Sequence, residues 1–185
     1  MVNATPQIYT TSEMHAELRQ SEIISGLIQY TVDQERGITR AEEKAYSILL
    51  SQDCDLLRDY EARARTEIPA LNGALLYEME PGERGTKQFT GSLWKPVQKN
   101  NNERYHFLQS VPEGQDLLGL GMPEFVLDFR RYSTVAPREI ERQCRLPNGA
   151  KRRCRLEMPY REHLQNRAAS YFQRVALPAQ HESAP

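Results

Sequence analysis

The chain has 185 residues, of which 39% are hydrophobic and 26% charged, enough for one core of ordinary size and too well mixed for disorder throughout. No apolar run approaches the roughly 20 residues that span a bilayer. The net charge of −1 hides an asymmetry: residues 1–128 carry 12 Lys and Arg against 20 Asp and Glu, and residues 129–175 carry 12 against 4.

Met1 to Thr11 has neither a basic nor an apolar leader region, and the three cysteines, Cys54, Cys144 and Cys154, are an odd number. Together these predict reduced thiols and a cytoplasmic location. The expected organisation is an arm and short helix over 1–20, a single domain over 21–178 and a flexible tail over 179–185.

In chain order, Thr10-Thr11-Ser12-Glu13 has capping-box spacing and predicts a short helix over 11–20. Glu22 to Val32 reads as a strand, with Gly26 marking a bulge or a close backbone approach. Asp33 to Lys44 is polar and is expected to be a connection with one helical turn over 40–44. Ala45 to Leu50 is short and continuously apolar, a strand buried on both faces. Leu56, Leu57, Tyr60 and Ala64 recur at helical spacing, so a helix should run to Arg65.

A strand over 71–79 is then broken at Pro81-Gly82-Glu83-Arg84-Gly85. Ser92 should cap a short helix carrying Leu93, Trp94 and Val97. Strands follow at 104–109 and 125–130. The Asn148-Gly149 dipeptide sits between strand-like runs at 144–146 and 152–156 and predicts a hairpin. Pro159 opens a final helix with Leu164, Ala168, Tyr171, Phe172 and Val175 on one stripe. Seven or so short strands with short helices predict an α+β or mainly-β fold: a small, strongly curved sheet or SH3-like barrel with a C-terminal helix.

The segment Ser51-Gln52-Asp53-Cys54-Asp55 is the most chemistry-like. Two carboxylates and a thiol fall within three residues, where a buried strand meets a helix. Asp53 and Asp55 suit a hard cation, and Cys54 near a helix N-terminus suits a nucleophile. The plainer reading is a helix cap beside a small buried cysteine. Arg104 and His106 share one strand face and could converge on a phosphate. The plainer reading there is an edge-strand histidine.

No cofactor or metal is expected, because Cys54, Cys144 and Cys154 lack zinc-knuckle spacing. The Arg-rich stretch, with Arg130, Arg131, Arg145, Lys151, Arg152 and Arg153 foremost, suits phosphate contacts, with Tyr132, Tyr160 and Tyr171 interleaved. Against this stands a solvated face, or pairing with the acidic first part of the chain. Gly-rich phosphate loops, G-x-S-x-G and H-E-x-x-H are absent from the sequence.

The strand layout, Ile23–Tyr30, the strand entering Ser51, Arg104–Leu108 and Phe125–Phe129, resembles the SH3-like barrel of the PemK/MazF toxin family over residues 20–135. That resemblance implies an RNA endonuclease using an Arg and a Ser or Thr, for which Ser51 and Arg104 are the candidates. The expected function is therefore a nucleic-acid-associated protein, a toxin or defence component acting on RNA. In that reading Asp53, Cys54, Asp55, Arg104 and His106 line the site. The rival expectations are a non-catalytic adaptor binding a protein partner, and a metal-dependent hydrolase.

Overall fold

The protein is described by a computed structural model covering residues 7–11, 16–82, 89 and 91–173. The elements are β1 (Tyr9–Thr10), β2 (Glu22–Asp33), β3 (Ile38–Leu49), α1 (Asp53–Ala64), β4 (Ala74–Pro81), α2 (Gly91–Gln98), β5 (Tyr105–Leu108), β6 (Phe125–Val135), α3 (Pro137–Arg145), β7 (Lys151–Leu156) and α4 (Tyr160–Phe172). The strands form one antiparallel sheet of seven, ordered β1-β7-β2-β3-β4-β6-β5, so the fold is α+β. The sheet does not close: its edge strands, β1 and β5, are not paired with each other.

It is nevertheless strongly curled. Gln29 on β2 hydrogen-bonds Ser133 on β6, although β3 and β4 lie between those strands. Three flat strand spacings span about 14 Å, beyond the reach of these two side chains, so the sheet must bend toward that face.

Alternation along the strands builds two apolar faces. Phe125, Leu127 and Phe129 of β6, with Tyr77 and Met79 of β4, join Leu164 and Ala168 of α4 in the largest cluster. On the other face, Ala74 and Leu76 of β4 pack with Leu56 of α1 and Ile140 of α3. Val126, Tyr105 and Phe107 pack beneath Trp94 and Val97 of α2. No helix among the described residues is long and apolar enough to cross a membrane.

The fold departs from the sequence-based expectation at four places. Residues 16–20 are not helical, and Ser12 to His15 lie outside the described residues. Tyr9 and Thr10 are not a loose arm, because they pair with Leu156 and Arg155. The polar stretch 38–44 is not a connection, because it forms the outer half of β3, paired with β2 down to Asp33↔Ile38.

The fourth concerns the expected hairpin at Asn148-Gly149, which is a turn from α3 into β7. A Cβ on Gly149 would lie 2.1 Å from the Gln143 carbonyl oxygen, so glycine is required by close approach to the end of α3 rather than by a hairpin. Of the expected turn at 81–85, Pro81 ends β4 and residues 83–85 lie outside the described residues, as does the tail over 179–185.

Candidate functional site

The Ser51–Asp55 junction is built as expected up to a point: β3 ends at Leu49 and α1 begins at Asp53. The N-cap position is Gln52, not an aspartate, and it makes no side-chain cap bond. Asp53 instead faces away from its own helix. Its Oδ1 accepts from the Gln20 N–H at 2.7 Å, and its Oδ2 accepts from Arg155 at 2.7 Å and Arg161 at 3.2 Å. Those three partners sit before β2, on β7 and on α4. Asp53 is therefore a clamp between elements, with both carboxylate oxygens engaged.

Cys54 is exposed rather than buried, and its thiol meets only oxygen acceptors, Gln52 Oε1 at 3.6 Å and Asp55 Oδ1 at 3.8 Å. Ser51 Oγ accepts from the Leu75 N–H at 2.8 Å, stitching the end of β3 to β4. The other two thiols are held protonated by burial, Cys144 pushed up to about 11 and Cys154 to about 12. No cluster of three metal-ligating side chains exists among the described residues.

Arg104 and His106 do not converge. Arg104 precedes β5, lies 4.6 Å from the Tyr105 ring centroid, and places its Nε 2.9 Å and 3.0 Å from the two oxygens of Asp128. His106 packs on Phe129 at 6.2 Å and on His163 of α4 at 5.4 Å. Asp128 and Phe129 are consecutive residues of β6 and point to opposite faces, so the two side chains diverge.

His106 is 2% exposed, and its Nδ1 is buried without a hydrogen-bond partner. Burial first, then the Arg167 and His163 charges, drive its pKa down to about 3. Neither residue shares a partner with Asp53, Cys54 or Asp55.

Within the Arg-rich stretch, Arg152, Arg153, Arg155 and Arg161 are committed within the fold, whereas Arg130, Arg131 and Arg145 are exposed and make only surface ion pairs. Arg152 pairs with Glu22, Arg153 with Asp116 at 2.6 Å, and Arg155 and Arg161 with Asp53. Arg130 pairs with Asp128 at 3.3 Å and Arg131 with Glu78 at 2.9 Å and with Glu80. Arg145 reaches Glu141 at 3.3 Å, and Lys151 donates to the carbonyls of Leu146 and Pro147, just after α3. Arg153 and Asp116 are themselves buried, a paired ion couple inside the protein.

A separate concavity lies elsewhere. A cavity of about 660 Å³ opens between the C-terminal half of α1 and the start of α3. Its floor is Arg63, which forks onto Glu141 at 2.9 Å and 2.7 Å while its Nε bonds Asp59 at 2.7 Å. Asp59 also accepts from the Leu71 N–H at 3.0 Å, so Arg63, Asp59 and Glu141 form one linked network. Ile68, at 89% exposure, and Pro69 supply an apolar lip, and Arg138 lines the α3 side.

Arg63 lies nine positions after Cys54 on the same helix, about 13 Å along its axis, so cavity and Ser51–Asp55 junction are separate places. The residues of this site are dispersed along the chain, so no motif marks it. The readable signal was Thr66-Glu67-Ile68-Pro69, an isoleucine in a polar loop.

Comparison of the chain with known protein families, with curated proteins and with solved structures finds no match.

Proposed function

We propose that this protein is a non-catalytic binding module rather than an RNA-cleaving toxin or a metal-dependent hydrolase. The observation that carries the reading is the disposition of charge: Arg152, Arg153, Arg155 and Arg161 are bound to Glu22, Asp116 and Asp53. Arginines so engaged cannot neutralise phosphates without breaking the contacts that join β7 and α4 to the rest of the sheet.

The dispersal of the sequence candidates supports it further. A general acid or base has to reach substrate, and His106 is sealed beneath α4 and uncharged near neutral pH. The docking site in this reading is the α1–α3 cavity, whose volume falls in the usual range for ligand sites and whose exposed Ile68 offers an apolar anchor.

The test is incubation of purified protein with mixed single-stranded and structured RNA, with and without EDTA. This reading predicts intact RNA in every lane. Cleavage that disappears in His106→Ala or Arg104→Ala would reject it in favour of a nuclease.

A further inference from the structure

The outer halves of β2 and β3 leave the sheet as a two-stranded ribbon. β7 covers β2 only from Glu22 to Ser25, and β4 covers β3 only from Ser47 to Leu49. Between them run the paired residues Ile28↔Glu43 to Asp33↔Ile38. The two edges of this ribbon differ. On the β2 side, the Gln143 side chain of α3 accepts from the Ile28 N–H at 2.8 Å and donates to the Ile28 carbonyl at 2.9 Å, capping that edge at Ile28. On the β3 side, no backbone group of Ile38 to Tyr46 has a partner beyond β2 among the described residues. The ribbon also carries Tyr30, Val32 and Ile38 at 57%, 65% and 44% exposure.

An open strand edge is a template for another strand, and charges on it usually prevent pairing. Here the charges select a partner. The edge sequence is Ile38-Thr39-Arg40-Ala41-Glu42-Glu43-Lys44. Two copies related by a two-fold axis perpendicular to the ribbon pair antiparallel, with one residue facing its own counterpart.

Centred on Arg40, the pairing opposes two arginines. Centred on Glu42, it opposes two glutamates and sets Arg40 against Lys44. Centred on Ala41, it sets Arg40 directly across from Glu42 of the second copy, twice, with two small side chains on the axis and no like charges opposed. Directly opposed unlike charges on one face attract, and like charges there repel. Tyr30, which pairs with Ala41, then falls in one row with both Ala41 residues and the Tyr30 of the second copy.

We propose that this edge is a homodimer interface, β3 pairing with β3 of a second copy in the Ala41-centred register. The pairing does not depend on what the α1–α3 cavity takes. The experiment is sedimentation equilibrium of the wild type, Arg40→Glu, Glu42→Arg and the double variant, with circular dichroism to confirm folding; all substituted positions are exposed. The wild type is expected to be dimeric. Each single variant, which opposes like charges twice, is expected to dissociate at least about tenfold more readily, and the double variant to recover wild-type association. A second readout is Ala41→Cys in a Cys54→Ser background, which should form an intermolecular disulfide under mild oxidation while Cys54→Ser alone does not. A monomeric wild type would overturn the proposal, as would a double variant no tighter than the singles, or an Ala41→Cys protein that fails to cross-link.

Discussion

At the scale of single residues, chemistry-bearing side chains are used here as fasteners. Asp53 looked like half of a catalytic or metal pair and proves to join three elements. Its replacement by Asn should cost about 1–3 kcal/mol, because Arg155 and Arg161 lose a carboxylate in a partly buried place. Replacing its exposed neighbour, Cys54→Ser, should change stability by less than about 0.5 kcal/mol. Urea denaturation of the two variants checks both, and equal effects would contradict the assignment.

Acidification should reveal two more residues in separate windows. His106 is held neutral in the folded state, with its pKa near 3 against about 6.5 in the unfolded chain. The unfolded state therefore binds the extra proton between those values, and the contribution of neutral His106 is lost as pH falls from about 6.5 toward 3. Its ring resonances should stay flat from pH 8 to about 4, and His106→Phe should flatten the acid limb of stability. A titration midpoint near 6.5 would contradict the burial.

Asp116 behaves differently. Burial pushes its carboxyl up, but the Arg153 fork and the N–H groups of Leu118 and Leu120 outweigh that and hold it below the usual carboxylate range. Its contribution is present above about pH 4 and is lost only below it. Asp116→Asn, which leaves Arg153 buried without its carboxylate, should cost about 3–5 kcal/mol at neutral pH.

At the scale of elements, periodicity carried most of the fold. The apolar pattern of Glu22–Val32, the Leu56–Ala64 stripe, the alternation at Phe125–Phe129 and the Leu164–Ala168 stripe each became the expected element. The misread elements share a cause. The outer half of β3 is exposed on both faces, so it has no apolar alternation to read, and only pairing with β2 makes it a strand.

Residues 137–145 form a helix whose buried face mixes Pro137 and Ile140 with the polar Glu141 and Gln143, so it shows no apolar stripe. Asn-Gly after them mimics a hairpin locally, and tertiary contact decides otherwise. Gly149→Ala should therefore destabilise the protein by more than about 2 kcal/mol, since its Cβ would strike the Gln143 carbonyl, a backbone atom that cannot move aside. Asn148→Ala should be close to neutral by thermal melting. A tolerated Gly149→Ala would mean that the α3–β7 turn is looser than described.

At the scale of the whole molecule, the most informative feature of the sequence was its division into an acidic first part and a basic second part. That division has a structural outlet. β7 and α4, which carry much of the positive charge, dock against Glu22, Asp53 and Asp116 from the acidic part. Composition could reveal the asymmetry but not its use, because an internal ion pair and a phosphate contact call for the same residue. The cavity was legible only at Ile68 in its polar loop, because Asp59, Arg63 and Arg138 belong to two helices that no sequence spacing links.

Arg152, Arg153, Arg155 and Arg161 are engaged within the fold and so are not free to hold phosphates. The most direct measurement is binding of a labelled single-stranded RNA across a salt series from low to physiological strength. Binding should be no tighter than the non-specific range of about 10⁻⁴–10⁻⁶ M, with little change in Arg152→Gln beyond its effect on folding. Binding well below micromolar, with an affinity that falls steeply as salt rises, would contradict that engagement.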